Sequence, residues 1–477
     1  MNILLAVILI PLIGAFALPI LGRFSARLRN CTALILILAP FALSLFLAPA
    51  VLSGKIVSVT QLIPLGFNLS FSADILAVFM ALVSSLISAV IVIYSFGYIS
   101  HYSNQNEYYC LVVLFLGSMM GIVFSQNLIL LYIFWEMTAI VSWRLIGFFR
   151  AKQDILRADK AFLITACGAL LMLIGFIAIY QFTGSFDIFT IKQSLKNNPL
   201  PNFIVALILV GILSKSATLP LHTWLPDAGV APSPVTALLH AAVLVKIGVY
   251  VFARLFVASF SIAEIWHTIV PVIAAFSTII SAGAALVETD FKRIVAYSTI
   301  SQIGFIFFAL STSNIIGIAG GLLFILMHGL AKAGLFLCAG IVEQNTKTKD
   351  ITQLGGLIKT MPFTAVSFLF CAFSVMGIPP FGGFFSKYFV FAGSVGNRQF
   401  FISLVFLIGA VMTMLYLFRL FDKVFLGEAK IAGREGSRTM ILAVMILASL
   451  SLAGGIFINF PLEFVEKAAQ QMLGGCW

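Results

Sequence analysis

Five charged residues stand well inside long apolar stretches. They are Glu136 in LLYIFWEMTAIVSW, Lys215 in GILSKSATLP, Lys246 in LLHAAVLVKIGVYVF, Lys332 in LFILMHGLAKAGLFL and Lys387 in GIPPFGGFFSKYFVFAG. His240 and His328 accompany two of the lysines. A charge at the middle of a membrane-spanning helix costs about 2.5–3.5 kcal/mol on insertion scales, so such residues face a bundle interior or a water-filled path. Desolvation brings release of a proton from a lysine within reach, and histidine titrates near neutrality. A row of Lys and His, with one Glu able to pair and unpair, is chemically a proton relay.

Each residue also has a plainer reading. A lysine near a helix end snorkels to the headgroups, a histidine packs against a carbonyl, and Glu136 neutralises a basic neighbour such as Arg144. Spacing favours the relay for some of them. His328 and Lys332 are four apart and share a helix face. His240 and Lys246 are six apart, which points them about 120° from one another on a straight helix, so water or a neighbouring helix would have to join them.

Two of the lysines lie beside backbone breaks. Pro220 removes a donor and disrupts the turn before it, and Pro379, Pro380, Gly382 and Gly383 do the same near Lys387. Backbone freed inside a membrane must be satisfied again by neighbours, side chains or water, so broken helices mark cavities. Paired interrupted segments in corresponding halves point to inverted repeats with an ion site between them. A proline kink that only shapes packing is the alternative.

The elements that must position these residues follow from composition. Of 477 residues, 61% are hydrophobic and 9% charged, far below the roughly 25% charge of soluble domains. Apolar runs long enough to cross a bilayer recur about fourteen times, at roughly 2–21, 31–50, 75–98, 109–125, 127–149, 160–182, 201–220, 232–256, 268–287, 293–311, 315–342, 361–394 with a break, 400–425 and 439–458. They are apolar on every face rather than alternating, which excludes a β-barrel. The expected fold is an all-α integral membrane bundle. The opening run lacks a basic start and is too long for a signal peptide, so it is expected to be the first, retained span.

The net charge of +11 comes from bases scattered among loops, without the compact basic face of a nucleic-acid binder. Loops after odd-numbered spans hold about sixteen Lys/Arg and the other side about six, which places both termini outside and the basic loops in the cytoplasm. Cys31, Cys110, Cys167, Cys338, Cys371 and Cys476 form no C-x-x-C and read as packing residues rather than iron–sulfur or zinc ligands. Phosphate-cradling and dinucleotide-binding glycine motifs are also missing.

In FWEMTAIVSWRLIGF, SKSATLPLHTWLPDAGVAPSPVTALLHAAVLVKIGVYVFARL, ETDFKRIVAYSTISQIG, HGLAKAGLFLCAG and GIPPFGGFFSK, over about residues 75 to 425, the chain resembles a known family. It is that of the antiporter-like proton-pumping subunits shared by respiratory complex I, Mrp-type cation/proton antiporters and membrane-bound energy-converting hydrogenases. The resemblance implies fourteen helices, with helices seven and twelve broken and two inverted five-helix repeats. The segments are then 1–108 for helices one to three, 109–257 and 258–426 for the repeats, and 427–477 for helix fourteen and the tail.

The resemblance also implies roles. Glu136 matches the helix-five glutamate and Lys215 its helix-seven partner; Lys246 with His240, then Lys332 with His328, match the links to the terminal Lys387. Asp227 falls in a loop motif and is expected to be structural. Arg144 departs from the family's apolar or aromatic residue, and Arg144, Arg157 and Lys160 are each candidate partners for Glu136. Among family members the sequence looks closest to hydrogenase-linked and ferredoxin-driven complexes, with complex I the runner-up. Helix fourteen is expected to be the last span, without the long lateral helix of the largest complex I antiporter-like subunit.

The leading expectation is therefore a multi-pass subunit of the inner (plasma) membrane that moves protons for a redox-driven pump. Its expected partners are the lipid bilayer, sibling membrane subunits and a peripheral redox arm. The arm would carry iron–sulfur, and in a hydrogenase nickel–iron, centres that this chain lacks. A Na⁺/H⁺ antiporter subunit is the second hypothesis, although one carboxylate among four lysines makes a poor sodium cage. A quinone- or haem-binding subunit, with His240 and His328 as ligands, is the third.

Overall fold

The computed structural model describes residues 2–62, 68–195 and 198–474. Twelve helical segments in it are long and apolar enough to cross a membrane. In chain order the helices are α1 (Ile3–Phe24), α2 (Ala26–Leu52), α3 (Ile75–His101), α4 (Gln105–Phe124), α5 (Leu128–Ile146), α6 (Lys152–Thr183), the short α7 (Ile188–Ser194), α8 (Asn202–Lys215), the one-turn α9 (Trp224–Asp227), α10 (Ser233–Val257), α11 (Trp266–Val287), α12 (Phe291–Leu310), α13 (Ile315–Thr346), α14 (Pro362–Met376), α15 (Gly382–Gly396), α16 (Phe400–Phe425), α17 (Arg438–Ile456) and α18 (Asn459–Gly474). The two remaining apolar runs are the interrupted ones. The run at 201–220 yields α8 and a turn, and that at 361–394 yields α14 and α15.

Two features depart from the expectation of helices alone. Residues between α2 and α3 form an antiparallel hairpin, β1 (Val57–Leu62) with β2 (Asn68–Ala73), in the register Val57 to Ala73. The amphipathic α18 follows α17 and packs on α13 and α3; its Gln471 side chain accepts the Ile75 amide at 3.1 Å.

Burial follows the chemistry. In their most apolar windows α10 is 100% buried, α13 94%, and α3 and α12 each 89%, whereas α1, α2, α6, α16 and α17 are below 40%. The buried helices carry the histidines and two of the lysines, and the rest turn Phe24, Phe46, Leu163 and Phe401 outward, as a surface solvated by lipid allows. Lipid is as apolar as leucine, so close approach through small residues holds such a bundle together. A Cβ at Gly168 or Gly211 would overlap the facing helix where α6 meets α8, and one at Gly304 would do so where α12 meets α11.

Two stretches are built alike. At the start of α5, Leu128 N donates to Phe186 O and Ile188 N to Gln126 O, both at 2.9 Å; at the start of α12, Phe291 N donates to Lys349 O at 2.9 Å and Ile351 N to Thr289 O at 3.0 Å. The helices that follow, α6 and α13, are both 32 residues long. Each then leads to a short, interrupted helix, α8 of 14 residues and α14 of 15.

Of the six cysteines, Cys31 and Cys167 are exposed on the outer helices, Cys110 is partly buried, and Cys338 and Cys371 are buried. Cys476 lies outside the described residues.

Candidate functional site: a row of buried lysines and histidines

Lys215 is the last residue of α8 and fully buried. The helix ends there: in a continued helix the Pro220 ring would clash with the Ser216 carbonyl four residues earlier, and Ala217 takes a φ of 51°. The freed backbone is tied down locally. Thr218 N donates to Leu213 O at 2.9 Å, Leu219 N to Ser277 Oγ at 2.9 Å, and the Trp224 indole to Ser214 O at 3.0 Å. The Lys215 ammonium donates to Trp135 O at 3.2 Å and lies 5.3 Å from the Trp135 ring centre. Trp135 directly precedes Glu136 on α5. Glu136 and Lys215 are within electrostatic reach of one another but are not among the ion pairs closer than 4.0 Å between described residues.

Two of the three bases expected near Glu136, Arg144 and Lys160, are paired elsewhere. Arg144 sits two turns further along α5 and pairs with Glu107 in the first turn of α4, as does Arg150 at 2.9 Å. Lys160 pairs with Asp227 Oδ2 at 2.7 Å, and Arg293 of α12 holds the other oxygen at 2.9 Å. Asp227 thus ties α6 to α12 at the end of the broken stretch. Arg157 is half-buried and makes no ion pair among the described residues. These partners come from helices distant in sequence, which local spacing does not reveal.

In α10 the straight-helix estimate for His240 and Lys246 fails. Residues Leu238–Ala242 form a π-turn, and Val243 leaves helical geometry at φ −129°, ψ −70°. The Lys246 side chain folds back over this interruption to donate to Ala241 O. A Cβ at Gly329 of α13 would overlap that ammonium, so Lys246 is seated against the residue after His328. The His240 ring packs 4.4 Å from that of Phe336 on α13.

His240 and His328 are buried, and neither ring nitrogen of either has a hydrogen-bond partner among the described protein atoms. His328 lies within electrostatic reach of His240, Lys246, Lys332 and Lys387. Lys332, one turn on, is fully buried and donates to Val295 O of α12 at 3.2 Å. Between Lys215 and Lys246 the helices touch where a Cβ at Gly248 would overlap Ser216 Oγ. That hydroxyl and Thr218 Oγ1 are also buried without a partner.

Lys387 lies on α15, beyond the second break. Gly377, at φ 84°, ends α14, and the chain re-enters a helix at Gly382. A Cβ at Gly383 would overlap Ser374 O, so glycine permits the two half-helices to meet. The Lys387 ammonium donates to Val375 O at 2.8 Å, with Met376 O at 3.5 Å, filling the open carbonyl end of α14 as cations favour. Phe305 of α12 lies 4.8 Å from it.

All four lysines therefore bind main-chain carbonyls, and among the described residues none has a carboxylate within 4.0 Å. Sequence reasoning missed two ion pairs at the flanks, one fully buried and one buried on the lysine side. Asp74, the N-cap of α3, is held by Arg254 through both carboxylate oxygens at 2.6 and 2.7 Å, with the Tyr250 hydroxyl accepting from Arg254 Nε at 2.9 Å. Lys292 pairs with Glu343 at 2.6 Å. The signal for both was a charge at the edge of an apolar run, which reads as an ordinary helix end.

Comparison with known proteins places this geometry. A family profile described as NADH:quinone oxidoreductase/Mrp antiporter, transmembrane region, matches residues 125–413, and one for the N-terminus of complex I chain 5 matches 61–109. Subunit A1 of the Na⁺/H⁺ antiporter of Staphylococcus aureus is 33% identical over 492 aligned positions, covering 96% of this chain and 61% of that protein. The chain thus spans less than two thirds of those relatives. Among solved structures, a chain of the Mrp complex from Dietzia sp. DQ12-45-1b superposes with a TM-score of 0.90 at 22% identity, covering both chains completely. A chain of the membrane-bound sulfane sulfur reductase, an archaeal respiratory membrane complex, gives 0.89 at 25% identity over 99% of this chain and 98% of its own. The first profile contains every residue from Glu136 to Lys387, and the chain belongs to the NADH:quinone oxidoreductase/Mrp antiporter family of multi-pass membrane subunits.

Proposed function

We propose that this chain moves protons across the membrane along Glu136, Lys215, His240, Lys246, His328, Lys332 and Lys387. The observation that carries the reading is the row of four buried ammonium groups hydrogen-bonded to carbonyls, with two histidines that have no hydrogen-bond partner among the described residues. Buried polar atoms without protein partners are normally satisfied by water, and a hydrated row of Lys and His passes protons. Opening and closing of the Glu136–Lys215 pair would alter how firmly the lysine holds its proton. The matching hydrogen-bond pairs at the starts of α5 and α12 support reading 109–257 and 258–426 as inverted repeats.

The chain works within a larger membrane assembly in this reading, as its relatives do, with sibling subunits beside it. The basic loops face the cytoplasm of a plasma membrane. Two driving forces are compatible with the site. Redox drive from a peripheral arm, whose cofactors lie in other subunits, is supported by the respiratory neighbour of equal length. Exchange against Na⁺ is supported by the antiporter relatives.

Reconstituting the parent complex in liposomes tests the relay. Glu136→Gln, Lys215→Ala and Lys246→Ala are each expected to lower proton movement by roughly 10²-fold or more, the usual scale for a lost acid–base group. Full activity in all three would overturn it. Repeating the assay with and without Na⁺, and with and without a low-potential electron donor, separates the two drives.

A further inference from the structure

The relay needs a loading point on the basic-loop side, and the geometry points to Glu343. We propose that Glu343, in the last turns of α13, is the carboxylate that takes protons from a polar cleft and delivers them to His240 through the hydroxyls of Ser233 and Tyr94. This rests on the relay described above.

The cleft has a volume of about 500 Å³ and is lined by His101, Tyr102, Gln344, Asn345, Lys347 and Glu435 among others. Glu343, adjoining Gln344, has a side chain 25% exposed, while its partner Lys292 is 2% exposed and lies 2.6 Å away. Lys349 approaches the other oxygen at 3.8 Å. Glu343 is thus open to water on one side and bound to a buried cation on the other. Lys292 also donates to Ala231 O at 3.2 Å, which fixes it to the segment leading into α10.

Below the carboxylate the polar atoms continue inward. Ser233, the first residue of α10, donates to Glu343 Oε2 at 3.5 Å. Tyr94, Tyr98 and Tyr102 line α3 and its end, with ring centres 5.6 Å and then 6.1 Å apart, and Glu343 lies within electrostatic reach of all three. The Tyr94 hydroxyl donates to Leu337 O at 2.9 Å. A Cβ at Gly340 would lie 2.7 Å from that hydroxyl and 2.6 Å from Ser233 Oγ, so glycine brings both against α13. From Ser233 to His240 is seven residues, about 10 Å along the helix; from Leu337 to Lys332 is five, about 7 Å. Only O–H and N–H bonds form and break along this path: each hydroxyl gives one proton as it receives another, Tyr94 by turning its hydrogen away from Leu337 O, and water carries the proton over the remaining stretch to His240.

A purely structural Glu343–Lys292 pair would make a different set of predictions. In vesicles bearing the full complex, proton movement is measured for Glu343→Gln, Glu343→Asp, Ser233→Ala and, as a check on the relay, Lys332→Met. Loading by Glu343 predicts a loss of roughly tenfold or more in Glu343→Gln, recovery to within about threefold in Glu343→Asp, a smaller loss in Ser233→Ala, and unchanged amounts of assembled complex. Wild-type rates in both Glu343→Gln and Ser233→Ala, with Lys332→Met inactive, overturn the loading role and leave the relay standing. Equal losses in Glu343→Gln and Glu343→Asp accompanied by lost assembly also overturn it, in favour of a structural pair. Activity in Lys332→Met would overturn the relay itself, and the loading role with it.

Discussion

Replacing Lys332 by methionine keeps an unbranched side chain of similar length in a fully buried slot and removes its charge. In the native protein the ammonium receives one hydrogen bond acceptor, Val295 O at 3.2 Å. Such a bond to a charged group contributes about 1.5–3 kcal/mol. Against it stands the desolvation of the ion, an effective penalty of several kcal/mol. The substitution leaves little behind unsatisfied, because Val295 O also accepts from the Thr299 hydroxyl at 3.0 Å. The balance therefore favours methionine, by about 1–4 kcal/mol on the scale seen when buried charges are replaced by well-packed apolar groups. Lys332→Met should raise the thermal unfolding midpoint of the detergent-purified complex while lowering proton movement in liposomes by roughly 10²-fold or more. A residue kept for packing would show the reverse, lower stability and retained transport, and that outcome would refute the reasoning.

Gly383→Ala should separate α14 from α15, since its Cβ would overlap Ser374 O; overpacking of about 1–3 kcal/mol and reduced transport are expected, read by thermal unfolding and by a pH-sensitive dye in vesicles. Asp74→Asn should weaken the grip of α3 on Arg254, lost at a buried pair of side-chain exposure 1% and 3%, and destabilise by about 3–5 kcal/mol. Because that pair lies outside the lysine row, whatever protein remains folded should retain its turnover per molecule.

The charged letters were legible because in an oily sequence each one is an exception that needs a partner. The breaks were legible for the same reason, since proline and glycine pairs stand out against Val, Ile and Leu. What stayed hidden was whatever the apolar background could not encode locally. The π-turn at Leu238–Ala242 lies in a run that reads as ordinary helix, and it is what lets Lys246 turn back onto Ala241. The partners of Arg144 and Lys160 come from α4 and from the stretch after α8, 37 and 67 residues away in sequence. The alternating VSVTQL of β1 carried a strand signal that was masked by the strength of its helical neighbours, and α18 is too polar to register as a span.

The choice of carbonyls over carboxylates for the buried lysines has a consequence for how charge travels. A carboxylate within contact distance would hold an ammonium as Asp74 holds Arg254, and breaking such a pair leaves an uncompensated ion. A carbonyl is a dipole, so a lysine can lose its proton or swing away at the price of a single hydrogen bond. Repulsion between neighbouring sites can then do the moving. Two like charges 8 Å apart at an effective dielectric of 20 repel by about 2 kcal/mol, more than a tenfold change in occupancy. His328, within reach of Lys246, Lys332 and Lys387, is repelled by each of them when both are charged, so protonation at one end of the row alters the affinity at its middle. Glu136 is the exception that gives the row a direction. Among the described residues it is the carboxylate within electrostatic reach of a member of the row, Lys215, and it stands at the end farthest in sequence from Lys387. Adding a second carboxylate at the centre, as in Leu335→Glu one helical turn from Lys332, should trap charge beside Lys332 and halt proton movement while Glu136 and Lys215 remain intact; transport at the native rate in that variant would show that carbonyl partners are incidental to the relay.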